Sequence, residues 1–262
     1  KKPKRCSALQ EKKKRAALKD FFISRNEITL FEKIQWREAD LCDLPALTKA
    51  FEDITQVYHC AAYISMAYHK REQLQEVNQQ GTAYIANLCI ENKIKKLVYV
   101  SSIAALGSQT TSGIITEDTP WNPTIEKTPY AYSKYGAELE IWRASQEGVA
   151  VAIVNPGVIL GDSMPRNPID QVINQIEKGV SFYPTGKTDY VAVEDVVEVM
   201  VKLMSSSIEN QRFILVAENW SYQKLTQYVA KKMNKKIPSR VLHPIYLKIA
   251  WFFESIANGF GL

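Results

Sequence analysis

Two short segments carry residue types that could move a proton and a hydride. Val98-Tyr99-Val100-Ser101-Ser102 reads as a buried strand ending in two serines, and Tyr130-Ala131-Tyr132-Ser133-Lys134 opens a helix. On a helix, positions i and i+4 share one face, so Tyr130 and Lys134 stand together. An ammonium beside a phenol favours the phenolate, which is expected to lower the Tyr130 pKa and let it exchange a proton near neutrality. Ser102, at a strand end, could hold the substrate oxygen that receives the proton. With a bound hydride carrier, these three groups suffice for carbonyl/alcohol redox chemistry.

The spacing alone is weak: in a chain with 13 tyrosines, about one Tyr-x-x-x-Lys pair is expected by chance. A second pair, Tyr228 and Lys232, reads as the surface of a late helix. Context favours the first pair. Tyr130 follows Ser102 by 28 residues, and the stretch between them is loop-like, with Gly113, Pro120, Pro123 and Pro129.

The elements that must position these residues follow from periodicity. Val57–Ala62 reads as a short strand ending in small residues, and Gln73–Glu91 as a long helix. Lys96–Ser101 is the next strand, Ala131–Gln146 a helix, and Val149–Asn155 a continuous apolar strand closed by Pro156-Gly157. Apolar strands alternating with helices predict an α/β fold, a doubly wound parallel sheet covered on both faces. Ligands of such sheets bind at the C-terminal ends of the strands. Ala61-Ala62, Ser101-Ser102 and Pro156-Gly157 fall at such ends and could floor a flat ring. After Gly161 the texture breaks up around Pro165, Pro168, Gly179, Pro184 and Gly186. A helix near Glu194–Ser205, a strand near Arg212–Val216 and a helix near Tyr222–Lys232 follow. Residues 1–160 are expected to form the cofactor-binding domain and 161–262 a small C-terminal substrate lobe, with 188–216 returning to the sheet.

Composition bounds the rest. At 262 residues, with 46% hydrophobic and 23% charged residues, the chain is an ordinary globular protein with a sizeable core. Cys6, Cys42, Cys60 and Cys89 are scattered, which argues against a disulfide framework or a zinc site and fits a reducing cytoplasmic setting. The net charge of +5 is misleading: residues 1–19 hold nine Lys/Arg against one Glu, and the remainder is net acidic. The basic segment reads as a solvated helix rather than a nucleic-acid arm. Ile245–Ile256 is apolar and aromatic, but Lys248 and Glu254 interrupt it, so it reads as a packing helix rather than a membrane span.

These segments resemble the extended short-chain dehydrogenase/reductases, the broad group of NAD-dependent epimerases, dehydratases and carbonyl reductases. The likeness runs from about Trp36 to Val216. Asp40-Leu41-Cys42-Asp43 resembles the family's adenine-holding turn, and Cys60-Ala61-Ala62 its strand end under the cofactor. Val77-Asn78-Gln79-Gln80-Gly81-Thr82 resembles the helix segment whose Asn supports the active site. Ser102, Tyr130 and Lys134 fall where the catalytic triad falls. Asn155-Pro156-Gly157, with Val158, resembles the turn beside the nicotinamide, and Val193-Glu194-Asp195-Val196 a late Asp-Val segment. The resemblance implies a Rossmann-type fold, an NAD(P) cofactor touched by Asp40, Leu41, Cys60, Ala61, Ala62, Asn78, Ser101, Tyr130, Lys134, Pro156, Gly157 and Val158, and a homodimer through the long helices. The family's Gly-x-x-Gly-x-x-Gly phosphate loop is absent from this sequence, as is the strand before it. The expectation is that a longer polypeptide supplies both. Lys1, Lys2, Lys4 and Arg5 sit where an acid would select NAD, which leans the reading towards NADP.

The Ser101–Gly107 run and the short lobe look most like the dihydroflavonol reductase and 3β-hydroxysteroid dehydrogenase branch, and so imply a largely apolar substrate. The main alternative is a nucleotide-sugar epimerase or dehydratase, for which Arg166, Lys178, Lys187 and Arg212 could meet a diphosphate. A dehydratase would also want an acid where Ile103 stands. A non-catalytic dinucleotide-binding scaffold is a further alternative.

Overall fold

The structure, a computed structural model, describes residues 8–107, 113–161 and 168–242. The chain divides into two compact units between Ala50 and Phe51. In the first, α1 (Ala8–Ser24) turns at Asn26, in the left-handed region, into the short α2 (Ile28–Glu32). Phe31 packs between Phe22 and Trp36, with ring centroids 5.8 Å apart on each side. An extended stretch then reaches Asp40, whose carboxylate accepts from Cys42 N at 2.9 Å. Asp43 closes the turn by accepting from Ala46 N at 3.2 Å at the start of α3 (Leu44–Ala50). Asx-type bonds of this kind are why Asp suits turns and helix starts.

The second unit is built on a four-stranded sheet of β1 (Gln56–His59), β2 (Lys96–Val100), β3 (Val151–Pro156) and β7 (Gln211–Leu215), in the order β1-β2-β3-β7. All three pairings are parallel. Leu97, Val98 and Val151 through Val154 are fully buried, which is the two-sided burial that their unbroken apolar run predicted. Val98, Ala152 and Val154 pack against Val196, Met200, Leu203 and Met204 of α8 (Val193–Ser205). The alternate residues, Tyr99 among them, face α6 (Pro129–Gln146), which packs beside α5 (Gly81–Glu91).

The helix expected over Gln73–Glu91 runs from α4 (Arg71–Leu74) into α5 through a π-helical turn at Gln75–Gln80. That turn carries Asn78. Pro129, which the sequence placed in a loop, is instead the first residue of α6, where its missing N–H costs nothing. The Thr128 hydroxyl caps the helix by accepting from Ala131 N at 3.2 Å. Gly136 allows α6 to lie against the π turn: a Cβ there would come within 2.7 Å of the Gln79 side chain.

Beyond β3 the chain enters a second sheet of β4 (Val158–Leu160), β6 (Lys187–Ala192) and β8 (Glu218–Ser221), with β6 parallel to β4 and antiparallel to β8. Its core joins Tyr190 to Ile176 of α7 (Pro168–Glu177) and to Leu225, Val229 and Ala230 of α9 (Tyr222–Lys232). Strands β5 (Phe182–Pro184) and β9 (Arg240–Leu242) form a parallel pair. Within the segment 188–216, β7 joins the main sheet, whereas β6 stays with β4 and β8. The second unit runs from Phe51 onward. The stretch Ile245–Ile256 lies outside the described residues. Among the described residues no helix is long and apolar enough to cross a membrane.

Candidate active site

Because β1, β2 and β3 are parallel neighbours, Cys60, Ser101 and Pro156 lie along one edge of the sheet. Cys60, Ala61 and Ala62 are exposed there. Gly157 follows β3, and a Cβ on it would sit 2.5 Å from the Asp189 carbonyl, so only glycine lets the chain turn into β4. Val158 is the first residue of β4. Asp40 and Leu41 lie in the turn of the first unit described above.

The structure brings Ser102 close enough to Tyr130 to influence the phenol's pKa. Ser102 Oγ also accepts from Ala104 N at 3.2 Å, which caps a short 3₁₀ turn and fixes the hydroxyl. Burial pushes the Tyr130 pKa up, and the nearby Ser102 hydroxyl opposes that shift. The sequence predicted a lowered pKa from Lys134. Instead Lys134 Nζ donates to the Tyr99 hydroxyl at 2.7 Å and to the Val100 carbonyl at 2.9 Å. The lysine is 1% exposed, and burial pulls its pKa down to about 8, against the upward pull of Glu138 and then Cys60. Lys134 in turn lowers the Cys60 thiol, against a larger rise from burial.

Asn78 is a clamp. Its side chain accepts from Tyr63 N at 2.7 Å and donates to Tyr63 O at 2.9 Å and to Ser133 Oγ at 2.9 Å. Ser133 Oγ donates to the Tyr130 carbonyl at 2.8 Å. The loop after Ala62 is thus tied to the first turn of α6. Ser101 differs from its neighbour: it is buried, and its hydroxyl donates to Glu138 Oε2 at 2.7 Å.

Sequence reasoning missed three buried polar residues here. Tyr99 and His59 read as ordinary strand residues, yet their rings stack at 5.2 Å, and His59 Nε2 lies 2.9 Å from Thr82 Oγ1. Burial and then the Lys134 charge push the His59 pKa down to about 3, so the ring stays neutral. Glu138 did carry a signal, one helical turn beyond Lys134 on the Tyr130 face. Arg212, considered above as a diphosphate ligand, is instead paired with Glu138 at 2.7 Å and bonded to the Glu117 carbonyl at 2.7 Å. Arg166 lies outside the described residues. Tyr228 is half exposed, with Lys232 Nζ 5.7 Å from its ring centroid, a surface pair as read.

The profile of the NAD dependent epimerase/dehydratase family matches residues 5–217. The chain belongs to this family. Its Rossmann-type α/β fold agrees: it superposes on the crystal structure of gox2253 with a TM-score of 0.71 at 27% identity, over 86% of this chain and 69% of that one. UDP-glucose 4-epimerase of Thermus thermophilus, solved with NAD, shares the fold at a TM-score of 0.67 and 23% identity, over 80% and 71%. Sterol demethylase protein B of Methylococcus capsulatus is 25% identical over 207 residues, 78% of this chain and 63% of that protein. Cinnamoyl-CoA reductase 1 of Arabidopsis thaliana is 26% identical over 215 residues, 76% and 60%. Family 42E member 1 of the human short-chain dehydrogenases/reductases is 28% identical over 202 residues, 69% and 50%. The chain therefore spans between half and two thirds of the length of these three family members.

Proposed function

We propose that this chain carries the proton-transfer site of an NAD(P)-linked oxidoreductase that interconverts a carbonyl and an alcohol on a small, largely apolar substrate. The observation that carries this reading is the Tyr130 phenol beside Ser102, with buried Lys134 one turn along the same helix face. The nicotinamide end of a cofactor fits the residues present. Ala61 and Ala62 leave room at an open strand end, and Lys134 uses two of its three N–H donors on protein acceptors, leaving one for a ribose hydroxyl. No residue of this chain is assigned to the pyrophosphate. The lean towards NADP rests on Lys1, Lys2, Lys4 and Arg5, outside the described residues. When bound, the nicotinamide exchanges the hydride with the substrate carbon.

The chain's own residues handle the oxygen. Ser102 donates to the substrate oxygen, and Tyr130 gives it the phenolic proton in reduction and takes it back in oxidation. Lys134, held cationic below about pH 8, stabilises the phenolate that remains. The substrate side is apolar. Ile64, Met66 and Tyr68 are more than 60% exposed on a loop anchored at Tyr63 by Asn78. The far end of that loop reaches Glu126, four residues before Tyr130, through the Tyr68 hydroxyl at 3.5 Å. The exposed Ile64, Met66 and Tyr68 side chains suit an aromatic or alicyclic carbonyl, and the names of two relatives speak of a sterol and of cinnamoyl-CoA. The nucleotide-sugar alternative is weaker, because Arg212 is engaged with Glu138 and Glu117. A homodimer through α5 and α6 would cover Tyr132 and Leu139, both exposed on α6.

The test is Tyr130→Phe, assayed by NADPH oxidation against a panel of aryl and alicyclic ketones with UDP-sugars in parallel. Loss of the phenolic proton lowers kcat by roughly 10²–10⁴ while cofactor affinity holds. A variant that turns over like the wild type sinks the reading, and sugar conversion without net NADPH loss replaces it with the epimerase.

A further inference from the structure

We propose that Glu138 is a positioning residue for the site: one buried carboxylate that fixes the serine-bearing strand end, the loop preceding Tyr130 and the charge on Lys134. The proposal rests on the reading of Ser102, Tyr130 and Lys134 given above.

Glu138 is 1% exposed, and a lone carboxylate at that depth would be strongly unfavourable. It is kept there by three donors from three strands. Arg212 Nη1 of β7 binds Oε1 at 2.7 Å, whereas Ser101 Oγ at the end of β2 and Asn155 Nδ2 of β3 bind Oε2 at 2.7 and 3.0 Å. The Asn155 amide has two hydrogens, and the other goes to the Ser102 carbonyl at 3.0 Å. The catalytic serine is thus held from both sides, by its neighbour's hydroxyl and by its own carbonyl, and both lead to Glu138. Asn155 is itself completely buried, and its Oδ1 has no partner among the described residues. An orphaned acceptor of this kind is unfavourable, which is consistent with the side chain being oriented for its two donated bonds rather than for its own satisfaction.

The same carboxylate reaches the loop between Ser102 and Tyr130. Arg212 Nε donates to the Glu117 carbonyl at 2.7 Å, and the Glu117 side chain accepts from Ile214 N at 2.9 Å. Lys127, two residues before Pro129, adds a bond to the Leu106 carbonyl at 2.6 Å. The path from serine to tyrosine is therefore held near its ends by Lys127 and Leu106, and at Glu117 by a bond that passes through the Glu138–Arg212 pair.

The third effect is electrostatic. Tyr130, Lys134 and Glu138 occupy successive turns of one helix face. The groups around Lys134 are Tyr99 on β2, neutral His59 on β1, the Cys60 thiol after β1, and Tyr130 and Glu138 on α6. Of these, Glu138 is the carboxylate, and it opposes the burial that discharges the lysine. Arg212 on its far side is paired with the same carboxylate at 2.7 Å.

The test reads Lys134 directly and needs no substrate. The full chain, labelled with ¹³Cε lysine and assigned with Lys134→Met, is titrated by NMR as wild type, as Glu138→Gln, and as Glu138→Gln/Arg212→Met. The double variant removes the guanidinium that the single variant leaves unpaired, so a folded protein remains for titration. In the variants Lys134 loses its proton about one pH unit below the wild type. An unchanged Lys134 titration in either folded variant overturns the proposal. A silent Tyr130→Phe would instead sink the reaction assigned above and leave the Lys134 result standing, so the two failures are distinguishable.

Discussion

Lys134 Nζ lies 2.7 Å from the Tyr99 hydroxyl, so the direct partner of the helix lysine is a strand tyrosine and not the tyrosine one turn before it. Thr82 opposes the rise of the Tyr99 pKa, and Thr82 Oγ1 lies 2.9 Å from His59 Nε2. Lys134 donates to Tyr99, whose pKa burial raises so that it stays a phenol, and the Thr82 hydroxyl can donate to the unprotonated nitrogen of neutral His59. This buried run links α6, β2, α5 and β1.

Tyr99→Phe removes one of the two acceptors of a buried ammonium while keeping the ring and its stack on His59. Leaving a charged donor short of a partner in the core costs about 2 kcal/mol. Urea unfolding at pH 7 should show the midpoint falling with an unchanged slope. A stability equal to wild type would mean that Lys134 finds another acceptor.

The Lys134 pKa of about 8, lowered from 10.5, makes stability depend on pH in a definite direction. Between pH 8 and 10.5 the unfolded chain binds this proton more fully than the folded one, so stability rises with pH across that window. Relative to Lys134→Met, which lacks the titration, the wild type should gain about 2 kcal/mol between pH 8 and 9.5. Urea midpoints of the two proteins, measured across the window, give the difference; parallel curves would contradict it.

His59 works at the acid end. Its pKa falls from 6.5 to about 3, so the folded protein refuses a proton that the unfolded chain accepts. Stability is therefore lost as pH falls from 6.5 towards 3. At pH 5 the loss attributable to this ring is about 2 kcal/mol. His59→Gln removes the titrating group, and its unfolding midpoint should fall less steeply than that of the wild type between pH 7 and 5.

Tyr130, Lys134 and the helix that bears them were legible in the sequence, because their spacing is local and a helix enforces it. The β3 strand was legible because a run without polar interruption has few other places to go. The π turn at Gln75–Gln80 was not, since one extra residue per turn leaves the apolar pattern of a long helix nearly unchanged. The Tyr99–Thr82–His59 run was hidden for a different reason. Each residue fits its own element, and only the pairing of β1 with β2 and the packing of α5 and α6 bring them together. The Tyr130 pKa was read in the wrong direction for that reason too: the expectation used the Lys134 charge, whereas burial raises the pKa and Ser102 is what opposes it. Arg212 looked available for a substrate because its partner Glu138 lies 74 residues away in sequence.

The apolar loop beside α6 gives a prediction on specificity. Ile64 and Met66 are 68% and 62% exposed, and neither supports the core. Ile64→Gln and Met66→Gln should accordingly leave the unfolding midpoint within about 0.5 kcal/mol of wild type. If the loop contacts substrate, each loses apolar contact worth about 1–3 kcal/mol, so KM for a bulky aryl ketone rises between roughly 10- and 100-fold. A small ketone such as acetone, which cannot reach the loop, serves as the control and should be unaffected. Equal losses on both ketones would place the effect at Tyr130 and Ser102, through the Asn78 clamp on Tyr63, and would remove the loop from the substrate site. Unchanged kinetics on both would mean that the apolar surface faces something other than the substrate.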